Sequence, residues 1–219
     1  MSQHLALPAW TIPTLPVAGR AERFPVRRIF CIGRNYADHV REMGGDPQRG
    51  TPTLFMKPAD AIVADGQPTP YPSATGDLHH EAELVTVLGE DLRPWGYAAG
   101  LDMTRRDLQA KAKASASAWE PAKAFEGSAP VGTLLPAGAW SPGKQVLSLR
   151  VNGELRQNSP LDHMIWSVED ILKEIAQLFV LKPGDLIFTG TPAGVAAVRR
   201  GDAMEVAIEG LPPLRTVVV

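Results

Sequence analysis

Glu81 and Glu83 stand two residues apart in the run Leu78-His79-His80-Glu81-Ala82-Glu83-Leu84-Val85-Thr86-Val87-Leu88. Apolar and β-branched residues surround them, which predicts a buried strand over about residues 80–89. Strand side chains alternate faces, so the two carboxylates share one. Like charges on a buried face repel, and burial penalises each ionised form. A divalent cation relieves both costs. Asp102, near the end of a second apolar run (Tyr97 to Met103), supplies a third carboxylate if the two strands are neighbours. All-oxygen ligation suits Mg²⁺, Mn²⁺ or Ca²⁺ better than Zn²⁺. The same spacing also fits acids on a solvated face, paired with surface lysine or arginine.

His39 and Glu42 are three residues apart on a predicted short helix, which makes their side chains neighbours. A carboxylate raises the basicity of an imidazole and selects its tautomer, so the pair can deprotonate water. An ordinary surface pair has the same spacing. Lys123 lies in the apolar stretch Pro-Ala-Lys-Ala-Phe, where a half-buried ammonium can stabilise an oxyanion or simply snorkel to solvent. Arg105, Arg106 and Gln109 follow Asp102 by three, four and seven residues; a helix beginning there points some of them into a site at Asp102, and without such a site they simply face solvent. Thr189-Gly190-Thr191-Pro192-Ala193-Gly194 is a loop after a strand, whose backbone N–H groups and Thr191 hydroxyl suit a carboxylate; a simple tight turn has the same composition. It lacks the endings of a nucleotide-binding loop.

These groups need a scaffold of many short elements. Residues 1–25, rich in proline, predict an extended arm with one short strand. Residues 28–33 and 53–57 predict strands, and 62–72 a loop or edge hairpin. Asn35 is placed to cap the short helix that ends at Gly44-Gly45. The Ala-rich segment 104–117 predicts a helix from Thr104 with a weak apolar stripe. Residues 119–135 hold strand-like pieces, and 145–152 run into an Asn152-Gly153 hairpin turn. Ser167 caps the best helix, residues 168–180, with Val168, Ile171, Leu172, Ile175, Leu178 and Phe179 as its stripe. The tail 203–219 predicts two strands.

The chain has 219 residues and a net charge of -2, which favours neither nucleic acid nor an anionic membrane as partner. No run approaches the roughly 18 apolar residues of a spanning helix, and no secretory signal is visible. The sole cysteine, Cys31, lies in an apolar strand and reads as core filling. A lone cysteine fits a reducing cytoplasm.

Five blocks, in order, carry a family resemblance. They are Ile32 to His39, Glu81-Ala82-Glu83, Leu101 to Gln109, Val151 to Gln157, and Pro183-Gly184-Asp185 with Thr189 to Pro192. From about residue 26 onward the chain resembles the fumarylacetoacetate hydrolase superfamily, and within it the fumarylpyruvate hydrolases and acylpyruvases. The resemblance implies an α+β fold, a mixed β-roll with a few peripheral helices. It implies one fumarylacetoacetase-like catalytic domain over residues 26–219 behind the arm 1–25, and a homodimer. It implies Mg²⁺ or Mn²⁺ held by Glu81, Glu83 and Asp102, water activated by His39 with Glu42, and Lys123 in the catalytic set. Arg106, Gln109, Gly190 and Thr191 match substrate-binding positions. The implied substrate is a small 2,4-dioxo acid, cleaved at its C–C bond to pyruvate and a carboxylic acid. Oxaloacetate decarboxylation, decarboxylation or isomerisation of a dioxo acid, and non-catalytic dicarboxylate binding are the competing expectations. One departure stands out: residues 89–96 join two strands where a longer, often helical, segment is expected.

Overall fold

The computed structural model describes residues 6–48 and 50–219. A mixed, curled sheet forms its centre. Its strands run in the order Thr53–Lys57, Arg28–Gly33, Asp185–Phe188, Ala82–Leu88, Pro94–Leu101, Ala129–Val131, Ile62–Ala64, and Leu135–Pro136 also pairs with Pro94–Leu101. Two neighbour pairs are parallel (Asp185–Phe188 with Arg28–Gly33, and Ala129–Val131 with Ile62–Ala64), and the others antiparallel. A second sheet holds Glu154–Pro160, Val146–Val151, Ala203–Ile208 and Leu214–Val217. A third, small sheet joins Ala196–Val198, Leu78–His80 and Thr104–Arg105.

The central strand Ala82–Leu88 is buried along its whole length, as a strand covered on both faces must be. Leu84 packs toward the second sheet with Leu147, Leu149 and Val206. Val85 and Val87 face the other way, against Val26, Ile29 and Leu186. The helix Val168–Leu178 buries Ile171 and Ile175 on Phe30, Ile32 and Ile187. Ser167 caps it by accepting from the Asp170 N–H at 3.2 Å. Leu178, assigned to its stripe from the sequence, is 69% exposed, because the helix ends there. Asn152 and Gly153 both adopt positive φ (51° and 82°), as the two-residue hairpin turn requires. Cys31 fills the core. No helix among the described residues is long and apolar enough to cross a membrane.

Several local expectations change. The arm carries two short strands, Thr14–Pro16 paired with Arg23–Pro25, rather than one; residues 1–5 of that arm lie outside the described residues. Residues 89–96 hold no helix: Gly89 N–H donates to Arg93 O in a tight connection. The helix expected from Thr104 begins at Arg106, because Thr104–Arg105 pairs with Leu78–His80 first. Lys123 lies on a one-turn helix, Glu120–Lys123, rather than among strand pieces. Asn35 does not cap the Ala37–Glu42 helix, whose N-cap is Tyr36. Its amide donates instead to Trp166 O and Thr189 O, and its oxygen accepts from Trp166 N–H.

The most consequential change is a break at Glu81. The expected strand is two strands, Leu78–His80 and Ala82–Leu88, in different sheets. Gln157 makes the break possible. Its Oε1 accepts from Ala82 N–H at 2.9 Å and from His80 Nδ1 at 3.1 Å, while its Nε2 donates to Thr191 Oγ1 and Pro192 O, both at 2.8 Å. Glu81 O accepts from Asp102 N–H. Gln157→Leu therefore leaves several buried polar groups unpaired and should cost about 2–4 kcal/mol of stability. A urea midpoint unchanged by that substitution contradicts this role.

Candidate metal centre and catalytic cavity

At the break the Glu81 carboxylate stands near that of Glu83, and the end of Pro94–Leu101 delivers Asp102 to the same point. One oxygen from each of the three lies within 4.8 Å of the others, and all three residues are buried. A cavity of about 320 Å³ opens onto them. His39, Arg106, Gln109, Lys123 and Thr191 also line it.

The acids are not equivalent. Lys123 Nζ donates to Glu81 Oε2 (2.8 Å), Asp102 Oδ2 (2.6 Å) and Thr104 Oγ1 (2.6 Å), which occupies all three ammonium protons. Arg106 bridges Glu81 and Gln109, donating to Glu81 Oε1 and Gln109 Oε1. Burial opposes ionisation of Glu81, but Lys123 and Arg106 outweigh it and hold the carboxyl below its usual range. The Lys123 ammonium loses hydration on burial, yet Asp102 and Glu81 keep its pKa raised. Among the described residues, Glu83 has as its hydrogen-bond donor the Gly190 N–H alone, at 2.7 Å. Burial, then repulsion from Asp102 and Glu81, raises its pKa well above the ordinary value.

Lys57, which sequence reasoning did not single out, completes the cluster. It ends the strand Thr53–Lys57, fully buried, with Nζ 2.8 Å from Asp102 Oδ1. That ion pair lacks hydrogen-bond alignment, so Asp102 Oδ1 has no hydrogen bond. A lysine closing an apolar strand just before Pro58 was the available signal. An oxygen without a hydrogen bond, a buried carboxylate on which desolvation and repulsion outweigh its attractions, and a set of hard oxygen donors together fit Mg²⁺ or Mn²⁺.

His39 Nδ1 lies 3.0 Å from Glu42 Oε2, and Glu42 Oε1 accepts from Gly194 N–H. With Nδ1–H directed at Glu42, Nε2 is the nitrogen available as a base. The expected dyad is therefore formed at the cavity wall. Gln109 accepts from Arg106 through Oε1, which leaves its amide N–H groups for the cavity. Thr191 faces the cavity, but its hydroxyl already donates to Ala82 O. The Gly190 N–H is directed at Glu83 rather than into the open cavity.

With this arrangement in place, comparison with known proteins is decisive. Residues 28–219 match the family described as Fumarylacetoacetate (FAA) hydrolase C-terminal. The chain belongs to the fumarylacetoacetate hydrolase family. It is 47% identical to the fumarylpyruvate hydrolase of Pseudomonas aeruginosa, solved in complex with Mn²⁺ and pyruvate, with a TM-score of 0.94 and 99% of each chain covered. It is 39% identical over 200 residues to the oxaloacetate tautomerase YcgM of Escherichia coli strain K12, covering 85% of this chain and 90% of that protein. To the human mitochondrial oxaloacetate tautomerase FAHD1 it is 42% identical over 196 residues, covering 84% and 88%. The chain is thus a metal-dependent enzyme of this family, and its curled mixed sheet with few helices is the family's fold.

Glu83 has a folded-state pKa above its unfolded value. Its contribution to stability is therefore complete below the unfolded pKa and lost as pH rises through the folded pKa. In metal-free protein at about pH 8, Glu83→Gln should raise the thermal midpoint by removing the repelled charge. Mg²⁺ or Mn²⁺ should stabilise the wild type and not the variant. A metal-free variant melting below the wild type contradicts the account of Glu83.

Proposed function

We propose that the protein hydrolyses the C–C bond of a 2,4-dioxo acid, fumarylpyruvate or another acylpyruvate, yielding pyruvate and a carboxylic acid. The observation that carries this reading is the His39–Glu42 dyad set at the wall of a cavity that also exposes three clustered carboxylates. The likeness to a fumarylpyruvate hydrolase along nearly the whole chain supports it. Residues 26–219 act as one catalytic domain with residues 1–25 as an arm, working as a cytoplasmic homodimer.

Glu81, Glu83 and Asp102 would hold the Mg²⁺ or Mn²⁺. When bound, that ion supplies Lewis acidity where negative charge develops on the 2-oxo oxygen of the departing pyruvate unit. His39 Nε2 takes a proton from water, and Glu42 stabilises the imidazolium that forms. The water oxygen attacks the C4 carbonyl, and the C3–C4 bond breaks with its electron pair leaving as the enolate of pyruvate; the proton that this enolate gains at C3 balances the one taken by His39. Arg106 and Gln109 orient the substrate's carboxylate. With its hydroxyl proton given to Ala82 O, Thr191 meets substrate oxygens through its backbone N–H, and Gly190 shapes the loop that presents it. Lys123 holds Glu81 and Asp102 in register and supplies positive charge beside the developing oxyanion.

A second reading keeps the site and changes the reaction to oxaloacetate tautomerisation or decarboxylation. Relatives named as oxaloacetate tautomerases favour it. The two readings differ in their need for an attacking water. Fumarylpyruvate, acetylpyruvate and oxaloacetate, assayed with metal stripped and restored, separate them. Hydrolysis of the acylpyruvates should fall by roughly 10²–10⁴ in Glu83→Gln, several kcal/mol of barrier. His39→Ala should slow hydrolysis by about 10²–10⁴ while retaining metal binding. Oxaloacetate turnover that survives His39→Ala, with acylpyruvates left uncleaved by the wild type, replaces the first reading with the second.

A further inference from the structure

The cavity holds more positive charge than its own acids can balance. Glu81, Glu83 and Asp102 are matched in number by Lys57, Lys123 and Arg106. Two further cations, Arg34 and Lys113, line the same cavity. Among the described residues neither has a carboxylate partner. A bound divalent ion would add to the excess.

Both residues are exposed, and both line the cavity where it meets solvent. The Lys113 ammonium lies over the Trp119 ring, 5.5 Å from its centroid. Its pKa is lowered by burial and by the facing charges of Arg106, Lys123 and Arg34, against the attraction of Glu81. Arg34 has φ 66°, an uncommon backbone for a residue with a side chain. Its guanidinium rests against Gly45, where a Cβ would come within 2.6 Å of the terminal nitrogen. The bare backbone at Gly45 therefore makes room for Arg34 beside the cavity.

An acylpyruvate with one carboxylate leaves this outer pair unanswered. We propose that Arg34 and Lys113 bind the second carboxylate of a dicarboxylic substrate and so determine which acyl group the enzyme prefers. The proposal deepens the functional reading above and rests on it. The planar guanidinium fork suits a carboxylate, and Lys113 adds a point charge on a flexible stem. Fumarylpyruvate has such a second carboxylate, and acetylpyruvate has a methyl group there. Oxaloacetate is also a dicarboxylate, so the same pair serves either reaction.

The test compares KM for fumarylpyruvate and acetylpyruvate in the wild type, Arg34→Met, Lys113→Met and the double variant, all loaded with Mn²⁺. The wild type should favour fumarylpyruvate by on the order of tenfold or more in KM. Each single variant should narrow that ratio, and the double variant should bring it within about threefold. A full preference retained in the double variant, or none in the wild type, overturns the proposal. Should neither acylpyruvate be cleaved, the hydrolase reading fails on its own. Calorimetry with fumarate and crotonate, which differ by one carboxylate, then decides the matter. Fumarate binding about tenfold tighter in the wild type and not in the double variant supports the proposal, and equal binding of the two acids by the wild type overturns it.

Discussion

Buried charge organises this molecule. Glu81, Glu83 and Asp102 sit with Lys57 and Lys123 almost wholly out of solvent, and Arg106 closes the cluster from the cavity side. Removing any ion from water is costly, and only close pairing offsets that cost. Lys123 satisfies one oxygen each of Glu81 and Asp102, Lys57 faces the other oxygen of Asp102, and Arg106 takes the other oxygen of Glu81. Among the described residues Glu83 alone of the three makes no ion pair, and its hydrogen bond comes from a backbone N–H. The cluster is thus balanced in number but uneven in space, and its unrelieved negative edge is where a divalent ion belongs. A cluster this sensitive to position demands a rigid frame. That is what the central sheet supplies, with Ala82–Leu88 packed on both faces.

Two amides hold the irregular parts of that frame together. Gln157 sits where the chain passes from one sheet to another, tying the break beside Glu81 to the loop of Thr191 and Pro192. Asn35 ties the approach to the His39 helix to Trp166 and Thr189. Both reach more than seventy residues along the chain, and both pair buried backbone groups outside the sheet ladders. The proposed proton-transfer pair and the charge cluster therefore reach the cavity on different elements, joined through these amides and through the contact of Glu42 with Gly194.

Relatives of comparable identity carry different reaction names, fumarylpyruvate hydrolase in one case and oxaloacetate tautomerase in others. The chemistry has a common core. Each reaction passes through, or transfers a proton to and from, an enolate of a 2-oxo acid, and each needs positive charge near that oxygen. One charge cluster can serve them all. Discrimination then falls to groups around it, here His39 with Glu42 on one side and the Arg34, Lys113 and Trp119 surface on another.

How much of this was legible beforehand follows from the range of the interactions. The spacing of Glu81 and Glu83, the pairing of His39 with Glu42, the cap at Ser167 and the Asn152-Gly153 turn are local patterns, and each is present in the fold. The ordered motifs carried the family and with it the curled mixed sheet. Long-range contacts were not readable. The strand break at Glu81 depends on Gln157, the displacement of the helix start past Thr104 on a strand far along the chain, and the use of Asn35 on Trp166 and Thr189. The same holds for charge. Sequence leaves Lys123 as either an oxyanion stabiliser or a snorkelling surface residue; only the fold buries it and directs its ammonium protons at Glu81, Asp102 and Thr104. Lys57 carries no sequence signal of its pairing, because its partner Asp102 lies 45 residues further along the chain and the acid near it in sequence, Asp60, is not the one it pairs with. Residue type and spacing determine which groups are able to bind a cation or activate water. Which of them are neutralised, and which are left facing an open cavity, is decided only when distant segments pack and take the water away.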